Sequence, residues 1–264
     1  MPSTGLFFLP IAPNQPSPSA LLVSHISRSF PAETLPTFHL DHRLFVDTSS
    51  LLPNSDTSLR RYTSILTLCH SPGTTYVGTT PPKEKPPAAA SDPPATSPTS
   101  TLITIPSAHA DPFTQLIGTK LQSHWAHRQS LVVDNGTALA LQHEEWIVRI
   151  GDVRTPTGRS GQQTASNLRG MIVEVSFNDT TSVRPGRKDS ADQQDTQHSG
   201  VGKDDETLIR GFLDSLFDGT GVQMASSRAL FRNTRSTNPE DKDRSGVADW
   251  DLASLYMDML RTPR

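Results

Sequence analysis

The stretch EEWIVRIGDVR, from Glu144 to Arg154, decides the fold of this chain. Within it Trp146, Val148 and Ile150 occupy every second position, a pattern typical of a β-strand that buries one face. A second run of the same kind, RGMIVEVSF at 169–177, follows a loop rich in Gly, Ser, Thr and Arg. Strands that bury a single face favour an antiparallel sheet over a parallel sheet covered on both sides.

The loop between these two runs does not have the sequence of a phosphate-binding loop. Its Gly-rich part, TGRSG at 157–161, lacks the lysine of a P-loop, and the residues after it predict a strand where a P-loop needs a helix. Ser160 also lacks the GxSxG spacing of a nucleophile elbow. We therefore interpret the loop as a connection between two strands.

Further strands are predicted from the same alternation elsewhere in the chain. The predicted strand at 131–141 contains Asn135-Gly136, a two-residue turn signal, so a hairpin remains open there as an alternative to one strand. Together with 145–153 and 169–177, the predicted strands lie at 4–9, 37–47, 60–69, 75–79, 101–105 and 131–141.

Four helices are predicted from apolar residues at helical spacing. The second has Asp111 as its cap and Pro112 at its first position, and its apolar residues continue to Trp125. The others are predicted at 19–30, 207–218 and 247–261. The broad apolar stripe of the third helix favours core packing over partner binding, whereas the last helix leaves both interpretations open.

Two polar inserts interrupt this order. Residues 80–100 are crowded with Pro, Ala, Ser and Thr, and residues 178–206 carry many charges and few large apolar side chains, so both are predicted to be disordered. The remainder predicts one α+β domain over 1–264, an antiparallel β-barrel of about eight strands with flanking helices.

Composition limits the classes of function. A formal net charge of −3, with only 3 Trp and 3 Tyr, makes a nucleic-acid-binding barrel the least favoured class. Cys69 is the only cysteine, which excludes an internal disulfide and favours a reducing, intracellular compartment. The first residues, MPSTGLFFLP, lack the basic region and long apolar run of a signal peptide and are predicted to form a strand.

The histidines do not predict a metal site. His39 and His42 lie three positions apart in a predicted strand, which places them on opposite faces. His124 and His127 lie three positions apart in a predicted helix, but no nearby Asp, Glu or Cys completes a tetrahedral set. We interpret that second pair as exposed to solvent.

The carboxylates do not predict catalysis either. A metal-dependent phosphohydrolase built on a barrel would need Glu-x-Glu in one strand, so that both carboxylates face one ion. Glu174 is followed by Ser176 in that place, and Glu144 and Glu145 are adjacent and would point apart. Glu174 is therefore expected on the solvent-facing side of its strand, and such an enzyme remains the alternative function.

Several blocks of this sequence resemble, in the same order, subunit 20 of the Mediator complex, and fungal members in particular. The blocks are TGLFFLP, EEWIVRIGDVR, LRGMIVEVSF, LIRGFLDSLF and DWDLASLYMDMLR. The most specific are Trp146 to Phe177 and Leu208 to Phe217. The resemblance covers most of the chain outside the two inserts.

The resemblance implies a non-enzymatic scaffold in the nucleus. Members of the family fold as a β-barrel, pair with the related subunit 18 in the head module of Mediator, and help relay signals from activators to RNA polymerase II. Their barrel is similar to that of tunnel-type RNA triphosphatases, whose Glu-x-Glu ion ligands are missing here. The resemblance therefore implies no catalytic, cofactor-binding or metal-binding residue in this chain.

Overall fold

The computed structural model describes residues 3–12, 15–48, 61–80, 101–156, 167–178, 201–222, 226–232 and 249–261, and at 201–204 it describes the backbone. The predicted loop at 157–161 lies outside these ranges, as do residues 81–100 and 179–200 of the two predicted inserts. No helix in the described ranges is long and apolar enough to cross a membrane.

The described strands form one nine-stranded antiparallel sheet. Their order in the sheet is β5-β4-β3-β2-β6-β7-β8-β1-β9. This order has two ends and is not closed into a barrel, so the barrel itself stays a prediction. The strands are β1 Ser3–Pro10, β2 Ala32–Asp47, β3 Tyr62–Leu68, β4 Thr74–Thr80, β5 Thr101–Pro106, β6 Trp125–Leu141, β7 Trp146–Arg154, β8 Leu168–Phe177 and β9 Arg228–Arg232.

Within the described ranges, four α-helices accompany the sheet, so the α+β class is confirmed. A 3-10 turn at Ser107–His109 leads into the second helix, and a π-helical segment at Leu116–Lys120 follows it. The helices are α1 Ser19–Ser29, α2 Ala110–Gln115, α3 Val201–Phe217 and α4 Trp250–Leu260.

The chain divides into two compact units, of which the first comprises Met1–Phe38, Asn135–Val153 and Leu168–Ser245. Its core lies where α1 and α3 cover one face of the strands. The alternating residues that predicted β7 and β8 supply that face, and Trp146 stacks on Phe212 of α3 with ring centroids 3.8 Å apart. The burial of Ile209, Leu213 and Leu216 in this core confirms that the apolar stripe of α3 serves packing.

The second unit comprises His39–Asp134, Arg154–Asn167 and Gly246–Arg264. On one face of its strands, Phe45, Ile65 and Val77 pack with Ile117 of the π-helical segment. Helix α4 lies on the opposite face, since a Cβ added to Gly78, the residue after Val77, would meet the Met257 sulfur at 2.5 Å. The apolar side of α4 is thus buried within its own unit.

Most predicted elements are confirmed with small shifts of their ends; one strand was missed, and two predicted boundaries are wrong. Strand β9 was not predicted, because its five residues carry arginine at both ends and show little alternation. The predicted helix from Asp111 ends before Trp125, which begins β6. Residues 201–206, assigned to the second insert, belong to α3. The division into a single domain is untested and stays a prediction.

Of the two alternatives left open at Asn135-Gly136, the single strand is the one observed, because β6 runs unbroken through both residues. Gly136 is needed here for close approach rather than for a turn. A Cβ at this position would lie 2.7 Å from Cδ1 of Phe38 and 2.9 Å from the backbone oxygens of Phe38 and Ile150. Glycine in a strand interior often marks such a site, where another backbone comes close.

Replacing Gly136 with alanine is expected to lower the free energy of unfolding by about 1–3 kcal/mol, because two of the three close contacts are backbone atoms that cannot rotate away. Gly211→Ala in α3 is the matched control. Nothing lies within 4 Å of a Cβ there, so it should raise stability by about 0.5–1 kcal/mol. Urea unfolding of the two variants measures both effects, and equal effects would contradict the role assigned to Gly136.

Candidate functional site

A chain of polar side chains lies buried in the first unit. Glu174 of β8 is only 1% exposed, and its Oε1 lies 2.5 Å from Nη1 of Arg149 on β7. The Ser176 hydroxyl donates a hydrogen bond to the same Glu174 oxygen at 3.1 Å. The hydroxyls of Ser176 and Thr4 are 3.3 Å apart. The carboxylate is therefore satisfied by a charge-assisted contact and a hydroxyl donor.

Strand register explains why these groups meet. Thr4 pairs with Ser176 across β1 and β8, and Leu6 pairs with Glu174. Val173 and Val175, the neighbours of Glu174 in sequence, face the core under α1 and α3. Glu174 and Ser176 therefore occupy the other face of β8, which is also buried. The expectation that Glu174 faces solvent is wrong.

This arrangement does not suit metal-dependent hydrolysis. A cation at Glu174 would have to displace the Arg149 guanidinium, and the next alternate position supplies only the Ser176 hydroxyl. Glu144 lies exposed in the turn between β6 and β7, away from any such pair. Within the described residues, no group of three or more His, Cys, Asp or Glu side chains could hold a metal ion.

The turn between β6 and β7 is conformationally unusual. Gln142, His143 and Glu144 have φ values of 51°, 57° and 68°, the left-handed region that non-glycine residues rarely adopt. Asn178 stabilises this turn through two hydrogen bonds. Its side-chain amide donates to the Glu144 carbonyl at 3.1 Å, and its backbone N–H donates to the Glu145 carbonyl at 2.8 Å. The carboxylates of Glu144 and Glu145 thus lie in a short turn that Asn178 stabilises by hydrogen bonds.

The predicted histidine pairs have different outcomes. His39 is exposed and His42 is fully buried, so their placement on opposite faces of β2 is confirmed. His124 and His127 are not in a helix, because His124 precedes β6 and His127 lies within it. His127 is hydrogen-bonded to Ser130 at 2.8 Å.

His42 is the most unusual titratable group in the second unit. Neither of its ring nitrogens has a hydrogen-bond partner among the described residues, and burial lowers its pKa from 6.5 to about 4. The pKa of His127 is also lowered, first by burial and second by the charge of Arg43. His42 is thus a neutral ring in an apolar interior, which gives it no means of acting on a substrate.

Exposed apolar side chains are the remaining candidates for function. In the second unit, Ile103 of β5 is 48% exposed, and Leu116 and Leu121, in and just after the π-helical segment, are 47% and 39% exposed. In the first unit, Leu21 of α1 and Leu208 of α3 are exposed. Side chains of this type are suited to protein contacts, since they recover free energy only when a partner covers them.

Comparisons with known proteins identify the family of the chain. No curated protein matches the chain. Among solved structures, the PH1819 protein from Pyrococcus horikoshii OT3 is similar at 9% identity, over 87% of this chain and 90% of that one, with a TM-score of 0.33. The family described as the TATA-binding related factor (TRF) of subunit 20 of the Mediator complex matches residues 1–261. The chain therefore belongs to the Mediator subunit 20 family.

Proposed function

We propose that this Mediator subunit is a non-enzymatic scaffold of the head module, which binds subunit 18 in the nucleus and helps relay regulatory signals to RNA polymerase II. The observation that carries the proposal is the family match, which extends over 1–261 and so includes every described element. We further propose that the sheet curls into the β-barrel that the resemblance implies, within a single domain.

The chemistry of the described residues supports a scaffold over an enzyme. Glu174, the carboxylate weighed as a candidate metal ligand from the sequence, contacts Arg149 and Ser176 inside the first unit. Groups engaged with one another in this way are not free for acid, base or metal chemistry. A few buried side chains supply most of the binding free energy at a protein interface, and exposed apolar residues such as Ile103 and Leu116 are suited to this role.

Co-expression with subunit 18 should raise the soluble yield of the chain several-fold and give one complex of 1:1 stoichiometry. The reason is that a partner would cover apolar side chains that otherwise promote aggregation. Size-exclusion chromatography with light scattering measures both properties, and co-expression with an unrelated soluble protein is the control. Equal yield with either protein, and a monomer in the presence of subunit 18, would contradict the proposed pairing.

The same purified complex can be tested for the alternative activity. We expect no phosphate release from triphosphate-ended RNA with Mg²⁺ or Mn²⁺ above the rate of a buffer blank. Turnover that is abolished by Glu174→Gln, a substitution of similar shape, would overturn the scaffold proposal in favour of a phosphohydrolase.

A further inference from the structure

Helix α4 lies on a row of side chains that leaves room for it. The row crosses four neighbouring strands, in the pairing order Leu44, Ser64, Gly78 and Leu102. Its two middle members are small. A Cβ on Gly78 would come within 3.3 Å of both the Sδ and the Cε atom of Met257. The side chain of Met257 therefore occupies the space that a side chain at position 78 would need.

The surfaces that meet here are apolar and closed to water. Leu66 and Tyr76, which pair with each other on the same face of β3 and β4, are fully buried. The buried residues of α4 recur at three- and four-residue spacing, by which an amphipathic helix presents one apolar side to a groove. They are at most 7% exposed and comprise Leu252, Ala253, Tyr256, Met257, Met259 and Leu260.

Helix α4 satisfies the backbone groups at its own ends. The Asp249 carboxylate accepts a hydrogen bond from the backbone N–H of Leu252 at 3.2 Å and so caps the first turn. At the other end, the backbone N–H of Arg261 donates to the Met257 carbonyl at 3.0 Å. The helix therefore brings its caps with it and does not depend on a neighbouring element for them.

The contacts of α4 with its unit join parts of the chain that are distant in sequence. The part of the second unit that contains β3 and β4 ends at Asp134, and the part that contains α4 begins at Gly246. The side-chain amide of Gln129 donates to the Leu260 carbonyl at 2.9 Å, and the Arg261 guanidinium lies 5.8 Å from the ring centre of Tyr62. These contacts define the position of the helix along the strands.

We propose that this face of β3 and β4 is a binding site for an amphipathic helix, and that α4 occupies it as an exchangeable ligand of the same chain. A long, unbranched apolar side chain at the position of Met257 is the main determinant of specificity, because Gly78 leaves space for it. The proposal is independent of pairing with subunit 18, since every contact used here lies within the second unit. Release of α4 would expose the apolar face beneath it, so occupancy of the site controls access to that surface.

The test uses the full chain with a protease cleavage sequence inserted between residues 240 and 241, so that α4 is cut from the chain after folding. We expect the fragment 241–264 to remain bound in size-exclusion chromatography. A fluorescently labelled peptide of residues 241–264, added in excess, should then replace it, and fluorescence anisotropy measures the exchange and the dissociation constant.

Two variants of the labelled peptide test the assigned specificity. Met257→Ala should weaken binding at least about tenfold, because it leaves the space beside Gly78 empty. Ser254→Ala is the matched control at an exposed position of the same helix and should bind within about twofold of the unmodified peptide. Since both changes are made in the peptide, the folded unit that receives it is the same in every measurement.

Three results would overturn the proposal. A fragment that leaves on cleavage, with no binding of the peptide, would show that this face does not bind a helix by itself. A fragment that stays bound and never exchanges would make α4 a permanent part of the core. A dimer of the uncut chain that the free peptide dissociates would assign the site to the helix of a second copy. Equal affinities of the Met257→Ala and Ser254→Ala peptides would refute the role of Met257, and loss of pairing with subunit 18 would change none of these measurements.

Discussion

Replacing Arg149 with methionine is expected to lower the free energy of unfolding by about 3 kcal/mol. The reason is the position of its partner, because Glu174 is 1% exposed and its carboxylate oxygen lies 2.5 Å from the guanidinium. Removing the cation takes a charge-assisted contact away from a carboxylate that lies in the interior of the first unit. Urea unfolding followed by circular dichroism at neutral pH measures the loss.

Two further variants identify the buried charge as the cause. Combining Arg149→Met with Glu174→Met removes both charges and should restore the unfolding free energy to within about 1 kcal/mol of the unmodified chain. Glu206→Gln breaks an exposed ion pair with Arg210 in α3 and should cost less than about 0.5 kcal/mol. If Arg149→Met costs no more than Glu206→Gln, the internal pair does not contribute to stability.

The burial of Glu174 could not be predicted from the sequence. The alternation of Met171, Val173 and Val175 predicts β8 and one of its buried faces correctly. Whether the second face meets water depends on what other parts of the chain cover it, and that information is not local. The presence of Arg149 among apolar residues of β7 was an available signal, since a charge in such a run needs a partner on a neighbouring strand.

The role of Gly136 likewise depends on contacts that are distant in sequence. Asn-Gly usually favours a hairpin turn because glycine tolerates positive φ. In β6 the absence of a Cβ serves a different purpose, the close approach of Phe38 and Ile150, and no local pattern distinguishes the two uses. Strand existence was therefore predictable from alternation, whereas β9 and the continuity of β6 depend on contacts distant in sequence.

His42 is expected to make the protein less stable as the pH falls from about 6.5 to about 4. Its pKa is about 4 in the folded chain and near 6.5 when unfolded, so in this interval the unfolded state binds the additional proton. Its stabilising contribution is thus complete above pH 6.5 and is lost progressively as the pH approaches 4. The shift corresponds to a loss on the order of 3 kcal/mol, measured as the unfolding free energy against pH.

The difference between the unmodified chain and His42→Leu isolates this contribution. His127 adds to the slope in the same direction, and acidic residues titrate near pH 4, but both effects are common to the two proteins. Leucine also removes two ring nitrogens for which the described part of the chain supplies no hydrogen-bond partner, so His42→Leu should be at least as stable at pH 7 and markedly more stable at pH 4.5. His39→Leu, at an exposed position of the same strand, should keep the original pH profile. Parallel profiles for the unmodified chain and His42→Leu would show that the His42 ring accepts a proton in the folded state as readily as in the unfolded one.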